Sequence, residues 1–258
     1  MAFQLQAYVS SISNGAVFLQ VSSLADTFAN PQNNNYVVGP LNNVIAVAGF
    51  GTNLTRVRFS SPSLAGILLP DIYPLRTASL TAGTQDNLLW WGGGGPTLKQ
   101  TEQLSAFCIQ SNAGAQVEYV FVWLADSAPQ PVNQAGFAAS GDFYTVRFTG
   151  TTTVTSNAWS VCPLTSEQNL PVGTYTVIGA RAKSATGVAF RLGVASYAYR
   201  PGGLCCTDDL CAGPVIQRFG GMGPWLSFTN VQVLQADFLC SAGDTAQTVD
   251  VDLFYRSA

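Results

Sequence analysis

One short frame occurs twice in this chain, and that repetition limits the folds open to it. Trp91-Gly92-Gly93-Gly94-Gly95-Pro96 is answered 128 positions later by Phe219-Gly220-Gly221-Met222-Gly223-Pro224, an aromatic residue followed by Gly-Gly-x-Gly-Pro. The segments downstream of the two frames also correspond. Ala106-Phe107-Cys108 parallels Phe238-Leu239-Cys240, Ala115-Gln116 parallels Ala246-Gln247, and both copies close on Ser-Ala at Ser127-Ala128 and Ser257-Ala258. Upstream the correspondence is looser: Tyr36-Val37-Val38-Gly39 is set against Thr176-Val177-Ile178-Gly179, and Arg56-Val57-Arg58-Phe59 against Val188-Ala189-Phe190-Arg191. Together these matches predict a duplicated unit of about 125 residues, long enough for an eight-stranded sandwich.

Local patterning assigns the unit to the all-β class. Tyr144, Val146 and Phe148 alternate with Thr145, Arg147 and Thr149; Val188, Phe190, Leu192 and Val194 alternate with Ala189, Arg191, Gly193 and Ala195; and Val249, Val251, Leu253 and Tyr255 repeat the pattern. A period of two marks half-buried strands. Turn clusters such as Ser13-Asn14-Gly15, Gly51-Thr52-Asn53 and Ala242-Gly243-Asp244 separate them. No long amphipathic helix is expected, only short helical turns near 61–69 and 101–107. The expected organisation is a first sandwich over 1–128, a linker over 129–141 that opens Pro129-Gln130-Pro131, and a second sandwich over 142–258.

Charge removes several functions. Only 10% of residues are charged, the net charge is −3, and Lys99 and Lys183 are the only lysines, so no basic arm is available to neutralise phosphates. Direct nucleic-acid binding is not expected. A surface this sparsely charged fits either a subunit covered by neighbours or a secreted or surface β-protein with a Ser/Thr/Asn-rich exterior. The N-terminus carries no cationic, apolar leader pattern, and the longest apolar stretch, 44–50, is too short for a spanning helix. No membrane crossing is expected.

The chain has no histidine, which removes Ser-His-Asp and Cys-His catalysis and every His-containing zinc site. Carboxylate pairs remain open to it, with Asp71, Asp86, Glu102, Glu118 and Asp142 as candidates, but their spacing selects no pair. No catalytic, cofactor-binding or metal-ligating residue is assigned, and the chain is not expected to be an enzyme. The Gly92–Pro96 run lacks the Lys-Ser/Thr of a nucleotide loop and reads as a tight inter-strand connection. Trp90 and Trp91 are either core packing or a stacking platform for a sugar. Six cysteines are expected as reduced, buried thiols, with Cys205, Cys206 and Cys211 the exception: their spacing matches no zinc pattern, and either a loop disulfide or packed thiols would account for them. The sequon Asn53-Leu54-Thr55 is expected to be idle.

A tandem pair of jelly-roll-sized units, weakly charged and without a basic arm, resembles the double jelly-roll major capsid proteins of tailless icosahedral viruses, including phages with an internal membrane. The resemblance rests on the duplicated Gly-Gly-x-Gly-Pro and strand blocks, and it carries over no functional residue. It implies two tandem eight-stranded jelly rolls and a homotrimer whose six sandwiches tile a shell. It further implies location in the virion after synthesis in the host cytoplasm, and partners that include penton and minor capsid proteins and an internal lipid membrane. The competing expectations are a secreted or surface carbohydrate-binding sandwich using Trp90 and Trp91, and a viral spike component.

Overall fold

The computed structural model describes every residue except 14, 16, 26–30, 52, 66–87, 112–113, 133–140 and 258. It is all-β. The chain divides into two compact units, one formed by the described residues from Phe3 to Ala128, the other by Pro129 onward together with Met1–Ala2.

The first unit contains β1 (Phe3–Ile12), β2 (Leu19–Val21), β3 (Tyr36–Val37), β4 (Asn43–Phe50), β5 (Leu54–Ser60), β6 (Leu89–Trp90), β7 (Gln103–Gln110) and β8 (Gln116–Ala125). One sheet runs β1-β8-β4-β6; in the other, β7 carries β2 and β3 on one side and β5 on the other. The long apolar strands β4 and β8 are buried along nearly their whole length. Val44, Val47 and Val122 of the first sheet meet Phe59 and Leu104 of the second around a small hollow, so the two sheets face each other across one core.

The second unit contains β9 (Asp142–Gly150), β10 (Trp159–Pro163), β11 (Thr165–Ser166), β12 (Gly173–Lys183), β13 (Gly187–Gly193), β14 (Gly202–Cys206), β15 (Leu226–Thr229), β16 (Gln235–Cys240) and β17 (Gln247–Ser257). Its strands follow the order β9-β17-β12-β15 and β10-β16-β13-β14, and a short parallel contact, Ala182 with Cys205 and Lys183 with Cys206, links the two runs. Phe190 of β13 packs on Trp225 at a ring distance of 6.0 Å, joining the faces.

The strand orders of the two units correspond except at the short third strands, β3 pairing with β7 in the second sheet and β11 with β9 in the first. Each first sheet sets the unit's first long strand beside its last, then the strand before the central turn (β4 or β12), then a short strand next to the Gly-Pro frame, β6 just before it and β15 just after it. Each second sheet sets the short second strand beside the penultimate one, then the strand after the central turn (β5 or β13). Irregularities repeat as well. The ladder of β4 on β8 skips Ile45, and that of β12 on β17 skips Ile178. The ladder of β5 on β7 skips Thr55, and that of β13 on β16 skips Val188. Both bulges of the second unit lie 133 positions after their counterparts (45 to 178, 55 to 188). Bulges fix register and bend strands, so a repeated pair at the same spacing marks a repeated central turn.

The Gly-Pro frames meet these bulges. The Trp91 N–H donates to the Ile45 carbonyl (2.9 Å), the chain then makes its glycine excursion, and the Pro96 carbonyl accepts from the Val44 N–H (2.9 Å). In the second unit the Gly220 N–H donates to the Ile178 carbonyl (2.6 Å), and after the excursion the Trp225 N–H donates to the Val177 carbonyl (2.8 Å). The first glycine of each frame, Gly92 at φ 58° and Gly220 at φ 85°, occupies the left-handed region that favours glycine.

Several sequence expectations need correction. Val44-Ile45-Ala46, not Tyr36–Gly39, is the counterpart of Val177-Ile178-Gly179, because Tyr36–Val37 pairs with β7 in the other sheet. Counted from the bulges, Arg58 corresponds to Arg191, one residue off the sequence match. Residues 103–107 lie in β7 rather than in a helical turn; of the turn expected near 61–69, the described part holds a 3-10 turn at Pro62–Leu64, and 66–69 lie outside the described residues. Strand β13 is buried on both faces, not half-buried, since the loop bearing Arg200 covers its outer side. Of the expected linker, 133–140 lies outside the described residues, and the Val132 N–H donates to the Gly220 carbonyl at 2.9 Å.

A methyl group at Gly95 would sit 1.8 Å from the Val44 carbonyl oxygen, whereas one at Gly94 would meet nothing within 4 Å. Gly95→Ala is therefore expected to cost about 2–3 kcal/mol in urea unfolding, and Gly94→Ala to stay within about 0.5 kcal/mol of the unchanged chain. Equal effects of the two substitutions would contradict the close approach of the frame to β4.

Candidate functional site

The densest polar chemistry among the described residues lies on the outer face of the second unit's first sheet. On β17, Val249, Val251 and Leu253 point to the core, which leaves Asp250 and Asp252 on the opposite face. Register sets Asp250 between Arg147 of β9 and Arg181 of β12. Arg147 donates to it through Nε (2.7 Å) and a terminal nitrogen (3.2 Å), and Arg181 through a terminal nitrogen (3.0 Å). Burial alone would raise the Asp250 carboxyl, but the two guanidinium groups outweigh it and hold the group below the usual carboxylate range.

Asp252, fully buried, accepts two bonds from Arg218 (2.7 and 2.8 Å), one from the Thr145 hydroxyl (2.9 Å) and one from the Phe219 N–H (3.1 Å). Arg181 also donates to the Asp208 carbonyl (2.6 Å) and to the Cys211 carbonyl. Buried Gln217 donates to the carbonyls of Ala180 and Leu204 (3.2 Å each) and accepts from the Leu204 N–H (3.0 Å). These bonds strap the connection between β14 and β15 across the sheet. The charges saturate one another, so the cluster holds a loop in place and presents no free acid, base or nucleophile.

A second ionic group lies deeper. The Arg191 guanidinium stands 3.9 Å from the Trp159 ring centroid and donates to Asp237 at 2.8 Å, with Arg200 Nε 3.8 Å from the same carboxylate. All three charged side chains are buried. Such a group is costly to break and specifies how its loop docks.

Of the five candidate carboxylates, Asp71 and Asp86 lie outside the described residues. Glu102 clamps the turn at Pro62–Leu64: it accepts from the hydroxyls of Ser61 and Ser63 and from the N–H groups of Ser63 and Lys99, at 2.9–3.2 Å. Asp142 is exposed and accepts from the Tyr144 hydroxyl at 3.2 Å. Glu118 differs. It is fully buried in β8, opposite Ser10, and neither carboxyl oxygen has a hydrogen-bond partner among the described residues. A methyl group at Gly51 would fall 1.4 Å from its Oε2, so Gly51 lies directly over the carboxyl group and any side chain there would displace it. Burial raises its pKa to about 7, and burial together with Glu118 raises that of Cys108 to about 12.

Trp91 lines the core hollow of the first unit with Val44, Phe59 and Pro96, and Trp90 pairs with Ala46 at the sheet edge; both are partly exposed. The Thr55 hydroxyl of the sequon donates to the Ile109 carbonyl (3.0 Å). Among the described residues no group of three or more His, Cys, Asp and Glu is arranged to hold a metal ion, and no helix is long and apolar enough to cross a membrane.

No protein-family model and no curated protein matches the chain. Among solved structures it is similar to one described as the crystal structure of the major capsid protein P2 from Bacteriophage PM2, at 14% identity over 99% of this chain and 98% of that one, with a TM-score of 0.27. A superposition that loose assigns neither fold nor role, and the strand order of each unit is the firmer guide.

Glu118 supplies a pH test. The folded chain keeps its proton up to about pH 7, whereas the unfolded chain releases it near the ordinary 4.5. Stability is therefore intact below the unfolded value and is lost as pH rises through the folded one. Relative to Glu118→Gln, the unchanged chain is expected to lose about 3 kcal/mol between about pH 5 and about pH 8, at 1.36 kcal/mol per unit. Urea unfolding of both chains across that range checks this, and a gap independent of pH would contradict it.

Proposed function

We propose that the chain is a structural shell subunit, a double jelly-roll capsid protein that works as a homotrimer. The observation that carries this reading is the shared strand order of the two units, with its repeated pair of bulges and repeated Gly-Pro excursion. An order of first, last, fourth and frame-flanking strand in one sheet, faced by second, penultimate and fifth in the other, supports a jelly-roll reading of the units.

Two such units in one chain let a threefold assembly present six similar modules, which suits a closed lattice with sixfold positions. The second unit also exposes apolar side chains that a neighbouring subunit would cover: Phe143, Tyr144 and Phe219 are each close to half exposed, and Val161, Leu210, Val215, Val231 and Val233 more so. The charged groups of its outer face are spent on holding loops, which fits a scaffold rather than a catalyst. Penton and minor capsid proteins, and a lipid layer beneath the shell, are the partners this role would bring.

Light scattering coupled to size exclusion is expected to give three times the 27.2 kDa of the chain, and negative-stain images six-lobed trimers or closed particles. A stable monomer that binds glycans through Trp90 and Trp91 would replace this reading with the carbohydrate-binding one.

A further inference from the structure

The thiols of Cys206 and Cys211 face each other with their sulfurs 2.7 Å apart, closer than two non-bonded sulfur atoms normally approach. Both are buried. The approach is built by the backbone. Asp208 Oδ1 accepts from the N–H groups of Leu210 (2.9 Å) and Cys211 (2.8 Å), a side-chain turn that doubles the chain back over the end of β14. Arg181 fixes the returning arm through the carbonyls of Asp208 and Cys211. Cys205 precedes Cys206 in the same strand and so points to the opposite face, where Gly187 and Ser184 lie against it.

We propose that Cys206 and Cys211 are a disulfide-forming pair that locks the loop over the outer face of the second unit. The inference does not depend on the capsid reading. With a small-molecule disulfide such as oxidised glutathione as oxidant, one cysteine thiolate displaces a glutathione thiolate and gives a mixed disulfide. The second cysteine then displaces the other glutathione, the S–S bond closes, and both cysteine protons end on the two released glutathione thiols. Burial pushes the Cys206 thiol up to about 12, which leaves little thiolate in the folded chain. Exchange in the native state is accordingly slow, and a bond once closed resists reduction.

The test uses the full chain, unfolded and refolded in excess oxidised glutathione, quenched in acid, alkylated under denaturing conditions and digested with trypsin. The peptide 192–218, which contains Cys205, Cys206 and Cys211, is expected to carry one alkyl group and to be lighter by two hydrogens than its reduced counterpart less two alkyl groups. The bond is expected to persist in Cys205→Ser and to vanish in both Cys206→Ser and Cys211→Ser. Alkylation of all three cysteines in the unchanged chain would overturn the proposal without any variant having to fold. A bond that disappears in Cys205→Ser but persists in Cys211→Ser would overturn it equally.

Discussion

Each unit depends on one backbone constraint, the meeting of a bulged strand with a glycine excursion. At Ile45 and at Ile178 the strand departs from regular pairing with the last strand of its unit, and the carbonyl of that residue is satisfied by an amide from the Gly-Pro frame. A buried carbonyl left without that donor would cost as much as a lost hydrogen bond, so the frame and the bulge stand or fall together. The frame must also come close. At Gly95 the Val44 carbonyl leaves no room for a side chain, and at Gly179 the backbone of Gln217, Arg218 and Phe219 leaves none. In each unit a glycine lets backbone pack against backbone, on the frame at Gly95 in the first and on the bulged strand at Gly179, whose counterpart is Ala46, in the second.

The second unit adds to this constraint an ionic strap that the first does not repeat at the corresponding positions. Asp252 of β17 stands where the first unit has Trp123, each paired just beyond the bulge, Asp252 with Gly179 and Trp123 with Ala46. In the first unit the position is filled by an apolar ring; in the second it anchors Arg218 and the loop beyond it. One scaffold thus accepts either kind of cover.

The fold class and the repeat were legible in the sequence because glycine, proline and period-two alternation report directly on backbone geometry. The central turn was not. Only Val44-Ile45 and Val177-Ile178 are alike at its start, and a bulge interrupts the alternation that would have extended the match. Glu118 was one of five candidate carboxylates, and nothing in its neighbours distinguished it. Its distinction is burial beneath Gly51, a residue 67 positions away (118 to 51), and sequence carries no record of such a contact. Asp250 and Asp252 were not singled out at all, since their arginine partners come from β9, β12 and a loop remote in the chain. The clue available was a pair of acids on the polar side of an otherwise apolar strand.

Amide hydrogen exchange resolved to single residues tests the shared anchor most directly. The N–H groups of Trp91 and Gly220 lie in glycine-rich connections, yet each donates to a bulged isoleucine carbonyl, so both are expected to exchange as slowly as the neighbouring core strands. Exchange of either amide at the rate of an open loop would mean that its frame is not fastened to the bulge, and that the two units do not share the construction described for them.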